Sequence, residues 1–239
     1  MIKNFNWQSA TSFLTAMEHL FYPHNCCGCG SDLLAKGNLL CARCIVNLPH
    51  TNFAKYANNP IEKLFWGRLS LVAAHCEFYF SKESLIQHLV HQLKYKGNSE
   101  IGVFLGELMA KSLMDSNRFN PIDALIPLPM FPDKEKKRGY NQAAVICNGM
   151  SAIMNVPVVS NCLLRQRLTE TQTKKHRAER WENVADSFVV VNANQLKGKR
   201  LLLVDDVVTT GATLEASGLL LLQIEGVQLS LASLMMATK

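Results

Sequence analysis

The sequence predicts an α/β protein, a parallel sheet with helices on both faces, carrying a small cysteine-rich module ahead of it. Three observations predict it. From residue 69 onward, short apolar runs bounded by turn residues alternate with amphipathic stretches, the order in which strands and helices build a parallel sheet. One of those runs, Leu201 to Val204, is apolar at every position, as a strand buried on both faces must be. Two C-x-x-C pairs, Cys26/Cys29 and Cys41/Cys44, precede all of it.

A chain of 239 residues holds one sizeable α/β domain plus a small appendage, and 48% apolar residues suffice for a core. No apolar run is long enough to span a bilayer, and no continuous apolar segment follows Lys3 as a signal peptide would require. A cytoplasmic protein without a membrane partner is expected. The net charge is +6, with cations clustered at Lys134 to Arg138 and Lys174 to Arg177. Such a balance suits an anionic ligand, sugar phosphate or nucleic acid, and does not choose between them.

Along the chain, Phe13, Leu14, Met17, Leu20 and Phe21 form one apolar stripe of a helix over residues 5–21, ended by Pro23. The two C-x-x-C pairs follow, with eleven residues between Cys29 and Cys41. At that spacing one tight turn aims two thiolates at a single metal, and two such knuckles complete a tetrahedral zinc site of four cysteines. Disulfides are disfavoured in a cytosolic chain. The polar, Gly-containing sequence between the pairs has no core of its own, so zinc would supply its stability. With four cysteines the shell is closed, which makes the zinc structural. Cys27 is a spectator that can replace Cys26. Cys76, Cys147 and Cys162 read as core thiols, and His24 and His50 as surface residues. A polar stretch broken by Asn58-Asn59-Pro60 sets the boundary between a module of residues 1–60 and a domain of residues 61–239.

In the larger domain the reading gives an extended segment from Leu69 to Phe80, then an amphipathic helix from Lys82 to Lys94 with Leu85, Ile86, Leu89, Val90 and Leu93 on one face. A second helix runs from Ser99 to Met114. His75, His88 and His91 lack a carboxylate or cysteine partner at metal spacing. Ala124 to Pro129 is a buried strand ending in a loop with the basic run Lys134 to Arg138, and Gly139-Tyr140-Asn141-Gln142 opens a helix to about Met154. A short strand at Val156 to Val159, a strand at Ser187 to Val191, the Leu201 strand, a helix after it and a strand from Val227 to Met235 complete the alternation. Between Arg165 and Asp186 lies a polar, basic loop holding Arg165, Arg167, Gln172, Lys174, Lys175, Arg177, Arg180 and Asn183. Loops of that length inside a compact domain are functional or disordered, with a short exposed helix over Arg177 to Asn183 as the alternative.

The chemistry concentrates where the Leu201 strand ends. Asp205-Asp206-Val207-Val208 runs into Thr209-Thr210-Gly211-Ala212-Thr213 and then a helix. Main-chain N–H groups, hydroxyls and a helix N-terminus converge there, which makes a phosphate site, and carboxylates beside it suit a ligand with hydroxyls or a divalent metal. This stretch resembles the 5-phosphoribosyl-1-pyrophosphate (PRPP) motif of type I phosphoribosyltransferases. The resemblance implies that Asp205 and Asp206 face the ribose hydroxyls and that Val208, Thr209, Thr210, Gly211, Ala212 and Thr213 wrap the 5′-phosphate.

Taken with Leu93-Lys94-Tyr95-Lys96-Gly97, Ile126-Pro127-Leu128-Pro129, Arg138-Gly139-Tyr140-Asn141-Gln142 and the spacing of Arg165, Gln172, Arg180, Asn183 and Phe188, the chain resembles the ComF/GntX family nearly end to end. That family implies a type I phosphoribosyltransferase fold behind a zinc-ribbon-like N-terminus, and some members act in DNA uptake. Transfer of the phosphoribosyl group with Mg2+ would then rest on Asp205 and Asp206, with Arg138, Lys174 and Arg177 on the pyrophosphate side and the long loop as a hood over it. Thr209 stands where 6-oxopurine salvage enzymes carry an Asp, and its hydroxyl is no acid or base near neutral pH, which argues against purine salvage. No N-terminal cysteine marks a glutaminase half. A second reading takes the same fold as a non-catalytic module binding single-stranded DNA or a nucleotide, although stacking aromatics among the basic residues are few: Tyr95, Tyr140 and Trp181. An oligomer is compatible with either.

Overall fold

The computed structural model describes residues 25–32, 34, 37–166 and 187–237. The helix expected over residues 5–21 and most of the basic loop, including Lys174 and Arg177, lie outside the described residues. The chain divides into two compact units, Met1–Leu48 and Pro49–Lys239. The sequence reading put its division at 60/61.

In the first unit the described residues hold one short helix, α1 (Ala42–Val46), which opens at the second cysteine pair. The second unit begins with a single 3-10 turn at Phe53–Lys55 and a short helix, α2 (Pro60–Leu64). Asn59 ties these together. Its Oδ1 caps α2 by accepting from Ile61 and Glu62 N–H, while its Nδ2 donates to the carbonyls of Phe53, Tyr56 and Ala74.

Among the described residues four strands make the sheet: β1 (Ala74–Tyr79), β2 (Ala124–Pro127), β5 (Arg200–Val208) and β6 (Gln228–Met236), in the order β1-β6-β5-β2. Each of their pairings is parallel, which confirms the expected architecture. The strand expected at Val156–Val159 contributes one parallel bridge, Val158 to Leu125. Two short strands, β3 (Leu163–Arg165) and β4 (Phe188–Val190), pair antiparallel outside the sheet. β3 was not expected, because three residues carry too little pattern to be seen.

The helices described in the rest of this unit are α3 (Leu85–Tyr95), α4 (Ser99–Met114), α5 (Pro132–Arg138), α6 (Gln142–Met154) and α7 (Ala212–Leu222). The basic run Lys134–Arg138 is therefore helical, started by Pro132 at the first position and stopped by Gly139 at φ +86°. Alternation along β5 feeds two cores. Leu201 and Leu203 join Leu214 and Leu221 of α7, with Phe65, Leu229 and Leu231. Leu202 and Val204 point to the other face, and α6 packs on β5 and β2. There α4 and α6 meet at two glycines. A Cβ on Gly106 would stand 2.2 Å from the Ile146 carbonyl oxygen, and one on Gly149 would stand 2.0 Å from that of Val103.

His75, read from sequence as having no partner at metal spacing, belongs to one buried polar cluster. Glu77 on β1 is 1% exposed, and its carboxylate is shared by His50 Nδ1 (2.6 Å), His75 Nε2 (2.7 Å) and the Ser112 hydroxyl (2.9 Å). Burial raises that carboxyl, but these partners outweigh it and hold it below the ordinary range. Among the described residues no helix is long and apolar enough to cross a membrane.

Candidate functional site

The site begins with the unequal lengths of two neighbouring strands. β2 ends at Pro127, paired with Val204, whereas β5 continues for four more residues against β6. Asp205 and Asp206 lie on that overhang, within the strand, at the carboxyl end of the sheet. Open α/β sheets bind ligands at this edge. Leu128 N–H still bonds the Val204 carbonyl at 2.8 Å, and then the chain turns away to leave a cleft of about 190 Å3 over the acid pair.

The turn from β5 to α7 is held from behind. Gly211 has φ +75°, a conformation that strains any L side chain, and a Cβ there would meet the Phe65 ring at 2.8 Å. Arg68 donates to the Thr210 and Leu64 carbonyls, each at 3.1 Å, and pairs with Glu215 in the first turn of α7. Thr209 and Thr210 are exposed in the turn, and Thr213 lines the cleft. The first N–H groups of α7 have no intrahelical partner and carry the positive end of its dipole. Val208 differs from its neighbours: its side chain is buried and its carbonyl accepts from Ala237 N–H at 2.8 Å.

Charges in the cleft are arranged asymmetrically. Asp206 Oδ2 pairs with Lys94 Nζ at 2.8 Å, from the last turn of α3. Asp205 Oδ1 accepts from the Asp206 N–H at 2.8 Å, but among the described residues no cation forms an ion pair with it. Burial, and then the charge of Asp206, push the Asp205 carboxyl up to about 8, with Lys94 acting against them. The Asp205 carboxylate is therefore disfavoured where it stands, and a cation or a donor-rich ligand would favour it. On the opposite wall Asn141 caps α6 by accepting from Ala143 N–H and donates to the Leu128 carbonyl, both at 3.0 Å. Arg138 donates to Gln142 Oε1 at 2.6 Å and lies 5.5 Å from the centre of the Tyr95 ring. Beside this cleft a second one of about 350 Å3 is lined by Lys94, Tyr95, Lys134, Lys137 and Arg138.

Of the residues singled out from sequence, Asp205, Asp206, Thr213 and Arg138 line one cleft, while Thr209 to Gly211 form the turn from β5 to α7, which Ala212 opens. Lys174 and Arg177 lie outside the described residues. Lys94, Asn141 and Gln142 line the cleft although none was chosen as a site residue, and all three belong to the sequence segments that carried the family resemblance. Arg165, expected only in the loop, also lines it.

In the first unit the Sγ atoms of Cys26, Cys29, Cys41 and Cys44 all lie within 4.8 Å of one another, a set that can hold one metal ion. Cys29 Sγ and Cys41 Sγ are 3.7 Å apart, close to the ~3.8 Å edge of a tetrahedron with ~2.3 Å metal–sulfur bonds. The Cys26 sulfur also accepts from Cys41 N–H at 3.2 Å and Gly28 N–H at 3.4 Å. Burial raises the Cys26 thiol, but these N–H groups, with Cys29 N–H and Cys44, bring it down to about 6, so a thiolate forms readily.

Residues 133–238 match the family model described as "Phosphoribosyl transferase domain". The chain is similar to "Competence protein F" of Haemophilus influenzae, 26% identical over 210 residues that make up 81% of this chain and 89% of that protein. It is also similar to "DNA utilization protein YhgH" of Escherichia coli strain K12, 29% identical over 161 residues, 66% of this chain and 67% of that protein. Among solved structures, a Leishmania donovani UMP synthase aligns with a TM-score of 0.34 and 18% identity, over 64% of this chain and 27% of that one.

Proposed function

We propose, for a relative of the ComF/GntX proteins that carries a phosphoribosyl transferase domain, that the cleft binds PRPP or another phosphorylated ribose with Mg2+ and transfers the phosphoribosyl group to an acceptor. One observation carries this reading. At the carboxyl end of a central parallel strand, an under-neutralised acid pair stands beside the N-terminus of α7 in a cleft whose far wall is cationic. The turn and α7 would take the 5′-phosphate, and Asp205 and Asp206 the ribose diol. Mg2+, when bound, would neutralise charge on the departing pyrophosphate, and the acid pair would hold it directly or through water.

The cations do the rest. The bond from C1′ to the pyrophosphate oxygen breaks and its electron pair leaves with pyrophosphate. A lone pair on the acceptor forms the new bond to C1′, and the proton the acceptor loses passes to water. Positive charge on the sugar favours the acid pair, and negative charge on the leaving group favours Lys134 and Arg138, so the cleft is stabilising at both ends of the breaking bond. Calorimetric titration tests this. PRPP should bind the parent protein only with Mg2+ present and should not bind Asp205→Asn/Asp206→Asn. A second reading, binding of single-stranded DNA, draws on the relatives' names and on the groove at Tyr95, Lys134 and Lys137. It takes over if oligonucleotide binds both proteins equally, with an affinity that falls steeply as salt rises.

The cysteine cluster would hold a structural zinc ion through Cys26, Cys29, Cys41 and Cys44, leaving no open position for chemistry. Metal analysis of the purified protein should find about one zinc per chain, lost in Cys29→Ser/Cys41→Ser. Full occupancy in that variant would remove the assignment.

A further inference from the structure

We infer that the amino end of the sheet carries a second ligand site, a pocket that takes a small neutral cyclic amide of one ring. It lies apart from the phosphoribose cleft and does not depend on that reading. β5 opens at Arg200, and Asp205 stands further along it, about 16 Å away on an extended strand.

The pocket has a volume of about 170 Å3 and forms where the first residues of β5 and β6 meet the loop over residues 118–122 that leads to β2. In the strand register Arg200 stands beside Gln228, and Leu202 beside Ser230. Gln228 and Ser230, two positions apart on β6, project from the same face of the sheet. Phe119, Pro121 and Ile122 of the loop, with Val72 ahead of β1, add carbon surface.

The charges around this pocket are already answered. Arg200 donates through Nε and a terminal nitrogen to the two oxygens of Asp123, each at 3.0 Å. Arg118 donates to Glu62 at 2.5 Å and to the Tyr56 carbonyl at 2.6 Å. An incoming ion therefore meets no unpaired opposite charge. What stays unanswered is neutral. Ser230 is only 3% exposed and lines the pocket, and its hydroxyl has no hydrogen-bond partner among the described residues. The Gln228 carboxamide, also in the lining, has none either among those residues. A buried hydroxyl without a protein partner costs stability, and this one stands at an opening.

The chemistry of the ligand follows from those two groups. Hydroxyl and carboxamide each offer a donor and an acceptor, so together they match an N–H and a C=O presented side by side, an amide edge. The carbon surface favours an apolar remainder, and the volume sets its size. An apolar cavity of ~150 Å3 holds benzene. A pocket of about 170 Å3 thus has room for one six-membered ring with its exocyclic oxygen. Pyrimidine bases and simple lactams share that form.

Ligand-observed NMR titration of the full chain tests this, together with thermal unfolding. The probes are uracil, 2-pyridone and δ-valerolactam, against N-methyl-2-pyridone, in which the N–H is blocked, and against benzoate and inorganic phosphate. At least one lactam should bind with a Kd on the order of 1 mM or tighter, about fivefold or more tighter than each of the other three probes. The order among the lactams separates a pyrimidine base from a saturated cyclic amide. Ser230→Ala should weaken that binding about fivefold without lowering Tm, since the hydroxyl has no bond to lose, and Gln228→Leu should weaken it similarly. Asp205→Asn/Asp206→Asn should leave it unchanged. Overturning results are no saturable lactam binding up to ~10 mM, equal binding of N-methyl-2-pyridone, or affinity unchanged in both pocket variants. A lower Tm in Ser230→Ala would show that the hydroxyl is engaged within the protein. Loss of lactam binding in the aspartate variant would place the ligand in the other cleft, and either result removes the proposal.

Discussion

Replacing Asp205 by asparagine is expected to abolish Mg2+-dependent PRPP binding and, in the same protein, to raise stability above that of the parent at neutral and alkaline pH. The two effects have one origin. In the folded protein, burial and the neighbouring Asp206 carry this carboxyl up to about 8, against an ordinary value of 3.8. Between pH ~4 and ~8 the folded state therefore keeps a proton that the unfolded chain has released. Stability falls as pH rises through that window and is level on either side of it. The substituted amide would keep the acceptor for the Asp206 N–H while removing the titration, so the variant's advantage should grow from pH ~4 to ~8 and then stay constant. Water at the cleft mouth screens the interaction, so the gain at pH 8 is put at about 1 kcal/mol or more, roughly 2–4 °C in Tm for a chain of this size.

Binding runs the other way. Ligand or Mg2+ needs the ionised pair, so affinity for PRPP in the parent protein should tighten up to pH ~8. Binding below that pH should release a proton, seen as a heat that depends on the buffer. Thermal unfolding of both proteins from pH 4 to 9 checks the first half. A variant no more stable than the parent at pH 8, or a binding heat independent of buffer, would show that Asp205 is an ordinary ionised carboxylate. A site that costs stability in order to stay unsatisfied is what a ligand cleft built from two adjacent carboxylates should show.

The parts that could be read from the chain are those where chemistry and periodicity are local. The apolar run into Asp205-Asp206 and the Thr-Gly turn is continuous in sequence, so β5, its turn and α7 were legible together, as were the paired cysteines. The strand itself is longer than it reads, because pairing with β6 through Val208 outweighs the poor strand preference of two aspartates. α5 was hidden for the opposite reason: Lys134 to Arg138 has no apolar stripe, and only Pro132 and Gly139 mark its ends. What no local pattern records is partnership across the fold. Lys94 meets Asp206 from a helix far earlier in the chain, Arg165 finds Phe131 from a three-residue strand, and Glu77 takes up both His75 and His50.

Gly149→Ala is expected to be among the most destabilising single changes in the domain, although alanine in a helix interior ordinarily gains ~0.5–1 kcal/mol over glycine. The added methyl would stand 2.0 Å from the Val103 carbonyl oxygen of α4, a backbone atom that cannot rotate aside. Nor can α4 retreat freely, because the mirror-image contact at Gly106 places that helix against the Ile146 carbonyl of α6, and both helices close the same core. Overpacking of this kind costs ~3 kcal/mol or more, on the order of 10 °C in Tm here. Gly102→Ala is the matched control on α4. Its methyl meets only the ends of Leu93 and Val145 side chains, at 2.8 Å, which can shift, so its cost should be far smaller. Equal melting temperatures for the two variants would mean that the α4–α6 seam is loose. A tight seam has a functional consequence, since α6 begins at Gln142, the acceptor for Arg138 in the cleft wall. Gly149→Ala should therefore weaken PRPP binding as well, even at temperatures where the protein remains folded, while Gly102→Ala leaves it unchanged.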